Sequence, residues 1–473
     1  MAETAGVETE GSVMADILPT APVSDRRREG FAQAPRGLIP TGDESSSSPV
    51  GISAPAGRWL SIVGIGEDGA DGLCPAARAA IASAEIVFGG ARHLALAGDL
   101  VTGEAQVWPS PFSLAGVLAA RGRNVCVLAS GDPFLYGVGA SLARHVPADE
   151  MSAFPAPSAF ALAAARLGWA LQEADLVSLH GRPLARLRPF LQDGARLILL
   201  TSDEDGPRQV ADFITALGCG ASRLVVLEAL GGPSERVREA RADAFAFTDV
   251  AALNVVALEV VAGADAPLLP LASGLPDDLF EHDGQITKRE VRALTLSSLA
   301  PRRGELLWDI GAGAGSIAIE WLLAHPSLSA IAIEGHADRA ARIARNAGRL
   351  GVPHLKVVEG AAPGALAGLP PPDVIFLGGG ASEPGVFEMA LAALKPGGRL
   401  VANAVTLETE AVLLSAHARL GGDLVRIALA RSVPVKGMTG WRPAMPVTQW
   451  RYGKPLEGKP PEGKPPEGEG GGT

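Results

Sequence analysis

Three glycines at alternate positions, Gly311, Gly313 and Gly315, stand between the apolar run "LLWDI" and the helical pattern "SIAIEW". Glycine suits a loop whose backbone takes positive φ or approaches a ligand closely. The helix that follows offers free N–H groups at its start. Strand, glycine loop and helix in this order predict a nucleoside cradle. Tight turns also use glycine, so the neighbouring acids must decide the ligand.

A dinucleotide fingerprint, G-x-G-x-x-G, needs a third glycine where Ser316 stands. Asp309, two residues before Gly311, would repel a pyrophosphate and attract a cation in a partly dry cleft. S-adenosyl-L-methionine carries a sulfonium and an ammonium and no phosphate, and it is the cofactor expected here. Capping a turn or the helix is the other role open to Asp309. Glu334 ends the next apolar run, "AIAIEG", where an acid can grip ribose hydroxyls. It supports a nucleoside without separating the two cofactors. "EGAAPGAL" follows the third strand, where an adenine edge would lie.

A second glycine turn holds Gly64 and Gly66 in "LSIVGIGEDG". Alone it is a weak signal. Its companions are Gly131 and Asp132 in "SGDPFLYGVG", Ser158 in "PAPSAFALAAARLGW", and His180 with Arg182 in "LVSLHGRP". The sequence Gly131-Asp132-Pro133 fixes the backbone direction at a strand end, and a good turn is its plainest reading.

Other chemistries find no support. His and Cys never cluster at metal-ligand spacing, so no metal is expected. The three cysteines, Cys74, Cys126 and Cys219, lie far apart, which argues against a disulfide framework. Buried, inert thiols in a reducing compartment are expected. A net charge of −11 does not suit tracking a nucleic-acid backbone. No apolar run approaches bilayer length. Three arginines at 26–28 precede no apolar stretch, so an export signal is rejected and the cytoplasm is expected.

The elements that must position these residues fall into two domains, as a length of 473 residues suggests. Residues 1–57, rich in Ser, Pro, Gly and Glu, read as a disordered extension. Residues 58–264 alternate strand and helix patterns and predict a mainly parallel sheet. A Pro- and Gly-rich linker covers 265–274. A second doubly wound unit covers 275–453, with late strands around "LVRIALARSV" and "MPVTQWRYG". A repeating Pro-Glu-Gly-Lys tail covers 454–473.

Asp309, the 311–315 loop and Glu334 resemble motif I and the following acid of class I methyltransferases. From "DDLFEHDGQITKREV" to "LKPGGRLVANAVTLET" the second domain is similar to the precorrin methyltransferases that also decarboxylate an acetate side chain. That resemblance implies that Thr287, Gly311, Ala312, Gly313, Ala314, Gly315, Glu334 and Ala362 line the cofactor. The first-domain motifs resemble the tetrapyrrole (class III) methyltransferases, whose cofactor lies folded between two small α/β lobes. By that resemblance Gly64, Gly66, Gly131, Asp132 and Ser158 border such a cleft. The implied fold class is α/β, a two-lobed tetrapyrrole-methylase domain followed by a Rossmann-like class I methyltransferase domain.

The combined resemblance implies methylation of precorrin-6Y at carbons 5 and 15, with loss of carbon dioxide from an acetate chain, giving precorrin-8 in cobalamin biosynthesis. The nucleophile would be an electron-rich macrocycle carbon, so no catalytic residue is assigned. An anionic tetrapyrrole calls for cationic donors. The candidates are His180, Arg182, Arg431, Lys436 and Arg442; solvated surface charge fits any single one as well, and His180 equally suits a structural hydrogen bond. A homo-oligomer is expected. Two other readings stay open: a nicotinamide-dependent oxidoreductase, opposed by Asp309 and the missing third glycine, and a nucleoside-sensing protein, opposed by the intact loop and Glu334.

Overall fold

The computed structural model describes residues 57–456, so nearly all of the expected N-terminal extension and C-terminal tail lies outside the described residues. The first domain opens with the β-branched run Leu60–Ile65 (β1). With β2 (Ile86–Gly89), β3 (Glu104–Val107), β4 (Val125–Ser130) and β5 (Met151–Phe154) it forms a five-stranded sheet in the order β3-β2-β4-β1-β5. Every pairing in it is parallel. Leu60 and Ile62 face one core, while Val63 and Ile65 face another. Burial on both faces explains why β1 reads as a continuous apolar run rather than an alternating one.

The second lobe departs from expectation. Its strands are β6 (Asp175–Ser178), β7 (Arg196–Leu200), β8 (Arg223–Glu228), β9 (Arg236–Arg241) and β10 (Asn254–Glu259), in the order β6-β7-β10-β8-β9. Only β6 and β7 pair in parallel; β10 enters antiparallel between β7 and β8, and β9 lies antiparallel to β8. The mainly parallel sheet expected over 58–264 is therefore two sheets, the second mostly antiparallel. The physical reason is the connection 229–235, too short to carry a crossover helix. Strand β9 reads "RVREAR" and has no apolar period because it is an edge. Its charges pair across the sheet, with Arg236 and Arg238 on Glu228 and Glu239 on Arg223. Charged edges of this kind resist pairing with another chain.

The second domain carries a seven-stranded sheet. In chain order its strands are β11 (Leu306–Ile310), β12 (Ser329–Glu334), β13 (Lys356–Glu359), β14 (Val374–Leu377), β15 (Arg399–Ala404) and β16 (Asp423–Ile427). A separate hairpin, β17 (Ala430–Val435) and β18 (Met438–Pro443), precedes β19 (Val447–Gly453). The sheet order is β13-β12-β11-β14-β15-β19-β16, with β19 antiparallel to both neighbours. "LVRIALARSV" is thus two strands, not one, and β18 has no counterpart in the sequence reading. Along β11, Leu307 joins the core on one face, and Trp308 and Ile310 join the core on the other. The chain leaves β11 for β12 and β13, then returns to β14 on the far side. The carboxyl ends of β11 and β14 therefore form a topological switch point, where open α/β sheets bind ligands.

Cys126 and Cys219 are buried as expected, and burial pushes the Cys126 thiol up to about 12. Cys74 is exposed, against expectation, because it starts the surface helix Pro75–Ser83. Among the described residues no helix is long and apolar enough to cross a membrane, and no His, Cys, Asp and Glu group could hold a metal ion.

Candidate active site

A cavity of about 970 Å³ opens at the carboxyl ends of β11, β12 and β14. This is the upper end of the roughly 300–1,000 Å³ typical of small-molecule sites. Its floor is the glycine loop. Gly311 and Gly315 take φ of 72° and 77°, a region that excludes most side chains. A Cβ on Gly315 would lie 2.7 Å from the Ile343 side chain, and one on Gly311 would lie 3.0 Å from the Gly379 carbonyl oxygen. The Gly311 and Ala312 N–H groups both donate to the Ile333 carbonyl, which folds the loop over the end of β12.

Asp309 is buried. Its Oδ2 accepts from the Ala318 N–H at 3.1 Å, in the first turn of the helix Ser316–Ala324, while its Oδ1 is buried with no partner among the described residues. The carboxylate therefore caps the helix with one oxygen and leaves the other unused beside the cavity. Burial pushes this carboxyl up to about 7; the Ala318 amide opposes the shift and the Glu334 charge adds to it. Because the folded-state value is raised, folding holds a proton that the unfolded chain has released between about 4 and about 7. The stability contribution from this group is lost as pH rises through that window. A cationic ligand at Oδ1 favours the ionised form instead. Its affinity is expected to climb as pH rises toward about 7, by at most roughly tenfold per pH unit. Calorimetry should show this slope, and Asp309→Asn should flatten it.

Glu334 closes β12. Its Oε2 accepts from the Gly313 N–H at 2.8 Å and its Oε1 from the His336 N–H at 3.0 Å, so the carboxylate is locked at the rim. Residues 284–288 form the roof. The Thr287 carbonyl accepts from Arg292, which is fully buried and also donates to Asp277 and to Glu320. Glu320 in turn accepts the Gly274 and Leu275 N–H groups at 2.6 and 2.9 Å. Sequence reasoning missed this network: in "TKREVRAL" Arg292 has the spacing of any solvated helix charge.

Of the second-domain residues singled out from sequence, Thr287, Asp309, Gly311, Ala312, Gly313, Glu334 and Ala362 line the cavity. Ala314 and Gly315 lie behind it, packed on Asn346 and Ile343. Arg431 and Arg442 stand directly opposite each other in the β17–β18 register and both line the cavity. Opposite residues of an antiparallel pair share a face, so two like charges sit side by side. Arg431 pairs with Glu290; among the described residues no carboxylate reaches Arg442. Lys436 is at the hairpin turn, at φ 46° and off the cavity wall.

In the first domain the glycine turns meet at the carboxyl ends of β1 and β4. Gly64 passes between two backbones: a Cβ there would lie 1.8 Å from the Gly131 carbonyl oxygen and 2.7 Å from the Ala156 nitrogen. Gly131 takes φ of 56°, and Asp132 accepts the Phe134 N–H at 2.8 Å. Ser158 caps the helix Ala159–Leu167 by accepting the Ala161 N–H. Gly66 abuts only the Asp68 carboxylate. Arg182 reaches the same turn, its guanidinium 5.3 Å from the centre of the Tyr136 ring. His180 is exposed, and its ring nitrogen meets the Thr201 carbonyl at 3.3 Å. Also here, His93 meets the Ser130 hydroxyl at 2.8 Å, and burial, with the Arg92 charge, lowers its pKa to about 4.

Comparison with known proteins follows the same division. Residues 60–246 match the tetrapyrrole (corrin/porphyrin) methylases, and residues 278–454 match the precorrin methyltransferase domain. A precorrin-6Y C(5,15)-methyltransferase [decarboxylating] of Sinorhizobium sp is 60% identical over 87% of this chain and 99% of its own. The protein of that name from Mycobacterium tuberculosis is 43% identical over 82% of this chain and 98% of its own. The crystal structure of the C-terminal domain of precorrin-6Y C5,15-methyltransferase from Rhodobacter capsulatus is 48% identical, covers 39% of this chain and all of that one, and has a TM-score of 0.38. Two methylase halves in one chain, matched nearly end to end by such relatives, place this chain in the family of decarboxylating precorrin-6Y C(5,15)-methyltransferases.

Proposed function

We propose that the chain methylates precorrin-6Y at carbons 5 and 15 and removes one acetate carboxyl, with S-adenosylmethionine bound once in each domain. As a member of its family the chain is a decarboxylating methyltransferase. The observation that carries the cofactor reading is Asp309, whose buried, unpartnered Oδ1 borders a cavity of nucleoside size. A buried acceptor without a donor is costly, and a cationic ligand relieves it. S-adenosylmethionine supplies a methyl group made electrophilic by its sulfonium.

The chain's own residues bind and orient. Asp309 and Glu334 make one end of the cavity acidic, fitting a sulfonium, an ammonium and ribose hydroxyls. Thr287 in the roof and Ala362 complete the lining. Arg431 and Arg442 make the hairpin wall basic, fitting the carboxylates of a precorrin. The attacking atom is a ring carbon, so positioning and exclusion of water supply most of the catalysis. In the decarboxylation the bond from methylene to carboxyl carbon breaks and its electron pair passes into the conjugated ring. Carbon dioxide leaves, and a proton completes the new methyl group. In the first domain Gly64, Gly66, Gly131, Asp132 and Ser158 border the second cofactor site, with Arg182 and His180 toward the substrate. Cytoplasmic residence and assembly into a homo-oligomer belong to the same reading, for cell fractionation and sedimentation to test.

Calorimetry of the full chain should give two S-adenosylmethionine sites, and mass spectrometry of the product two added methyls and one lost carboxyl. Binding of NAD without S-adenosylmethionine would sink the proposal. Arg442→Ala is expected to raise KM for the precorrin by about tenfold, the scale of one charge-assisted hydrogen bond. Cofactor affinity should stay unchanged.

A further inference from the structure

The cavity also holds a neutral polar group with a fixed orientation, the side-chain amide of Asn403 on β15. Asn403 stands opposite Gln449 of β19, and both face Thr295 of the helix Arg289–Leu299. Counting donors sets every orientation in this group. The Thr295 hydroxyl gives its only hydrogen to the Val291 carbonyl at 2.8 Å, so it can only accept from others. Asn403 Nδ2 at 3.0 Å and Gln449 Nε2 at 3.1 Å must then be its donors. The second hydrogen on Gln449 Nε2 goes to Asn403 Oδ1 at 2.9 Å, and Gln449 Oε1 accepts from Ser298 at 2.6 Å. Thr295 and Gln449 are buried, so this frame does not rotate freely. One N–H of Asn403 has no partner among the described residues, and Asn403 lines the cavity.

The surface next to it is apolar. Val291 lies one turn before Thr295, Val447 lies two residues before Gln449, and Ile427 is paired with Val447. These three pack together and all line the cavity. An acceptor held by the Asn403 N–H would therefore sit on a neutral donor against an apolar wall.

That setting suits one substrate group. A carboxylate gripped by an arginine keeps its charge stabilised, and losing carbon dioxide forfeits that stabilisation. A carboxylate oriented by a neutral amide against an apolar wall is poorly stabilised, and it gains by passing its electron pair into the ring. We propose that Asn403 orients the departing acetate: its free N–H donates to that carboxylate and holds it against Val291, Ile427 and Val447. The inference rests on the precorrin reading above and adds the residue that selects which carboxyl leaves.

The test uses the full chain, precorrin-6Y labelled in its acetate carboxyls, and saturating S-adenosylmethionine. Labelled carbon dioxide and cofactor dissociation constants are measured together. Asn403→Ala is expected to slow carbon dioxide release by about ten- to hundredfold through lost alignment of the breaking bond with the ring, with cofactor affinity within about threefold. Thr295→Val keeps Asn403 but unlocks it, and should give an intermediate loss. Release from Asn403→Ala within about threefold of the unaltered chain overturns the proposal. If Asn403→Ala loses cofactor binding, the isosteric Asn403→Asp replaces it under the same criterion. Failure of the unaltered chain to bind S-adenosylmethionine or release carbon dioxide would instead refute the functional reading.

Discussion

Gly64→Ala is expected to abolish carbon-5 methylation while the second domain still binds S-adenosylmethionine. The added methyl would sit 1.8 Å from the Gly131 carbonyl oxygen and 2.7 Å from the Ala156 nitrogen. Neither atom can swing aside as a side chain would. They belong to backbone and are hydrogen-bonded to each other at 3.1 Å. Strand β1 pairs with β4 on one side and β5 on the other, so relief requires prising apart the middle of the sheet. Ordinary overpacking costs about 1–3 kcal/mol; a clash between backbones should reach the exceptional range, above roughly 4 kcal/mol. Thermal unfolding should show the first domain melting early and the second unchanged. Gly66→Ala is the control for stability, because the atom nearest its new methyl is the end of the exposed Asp68 side chain.

Arg292→Met should have the largest effect on the second domain. Arg292 is fully buried, and its loss strands the Glu320 carboxylate with only the Gly274 and Leu275 N–H groups. Removing one partner of a buried ion pair costs about 3–5 kcal/mol. The roof loosens too, since Arg292 also holds the Thr287 carbonyl. The denaturant midpoint and second-domain cofactor affinity should therefore fall together. Adding Glu320→Leu should restore much of the midpoint, because a buried pair replaced by apolar groups is often near neutral. It should not restore affinity, since Thr287 stays untethered. Recovery of both would show that Arg292 acts on the site only through global stability.

Local features were legible in the sequence, and features set by distant pairing were not. The strand, loop and helix around Gly311 could be read because apolar runs and glycine spacing lie within a few residues. Asp309 was ambiguous between capping and ligand binding because both roles need the same letter at the same place. Only the position of the Ala318 amide shows that one oxygen caps and the other is spare. The antiparallel second lobe escaped notice because β10 is inserted between β7 and β8, a choice of neighbour that no local period encodes. Arg292 and Arg431 read alike as letters. One is buried by Glu320 on a separate helix, and the other is exposed at the cavity wall. Asn403 carried no signal at all, since its orientation comes from Thr295 and Gln449, far away in the chain.

Among the described residues the hairpin β17–β18 is joined to no other strand, and it sets Arg431 against Arg442. A two-stranded ribbon is marginal by itself, and adjacent like charges weaken it further. On the proposed reading a polycarboxylate substrate would supply the counter-charge that Arg442 lacks among the described residues. Substrate would then help to build the surface that recognises it, stiffening the wall as it binds. On the same reading the acetate that leaves is held by Asn403 and not by these arginines, so the product would keep the brace that the substrate supplied until it departs.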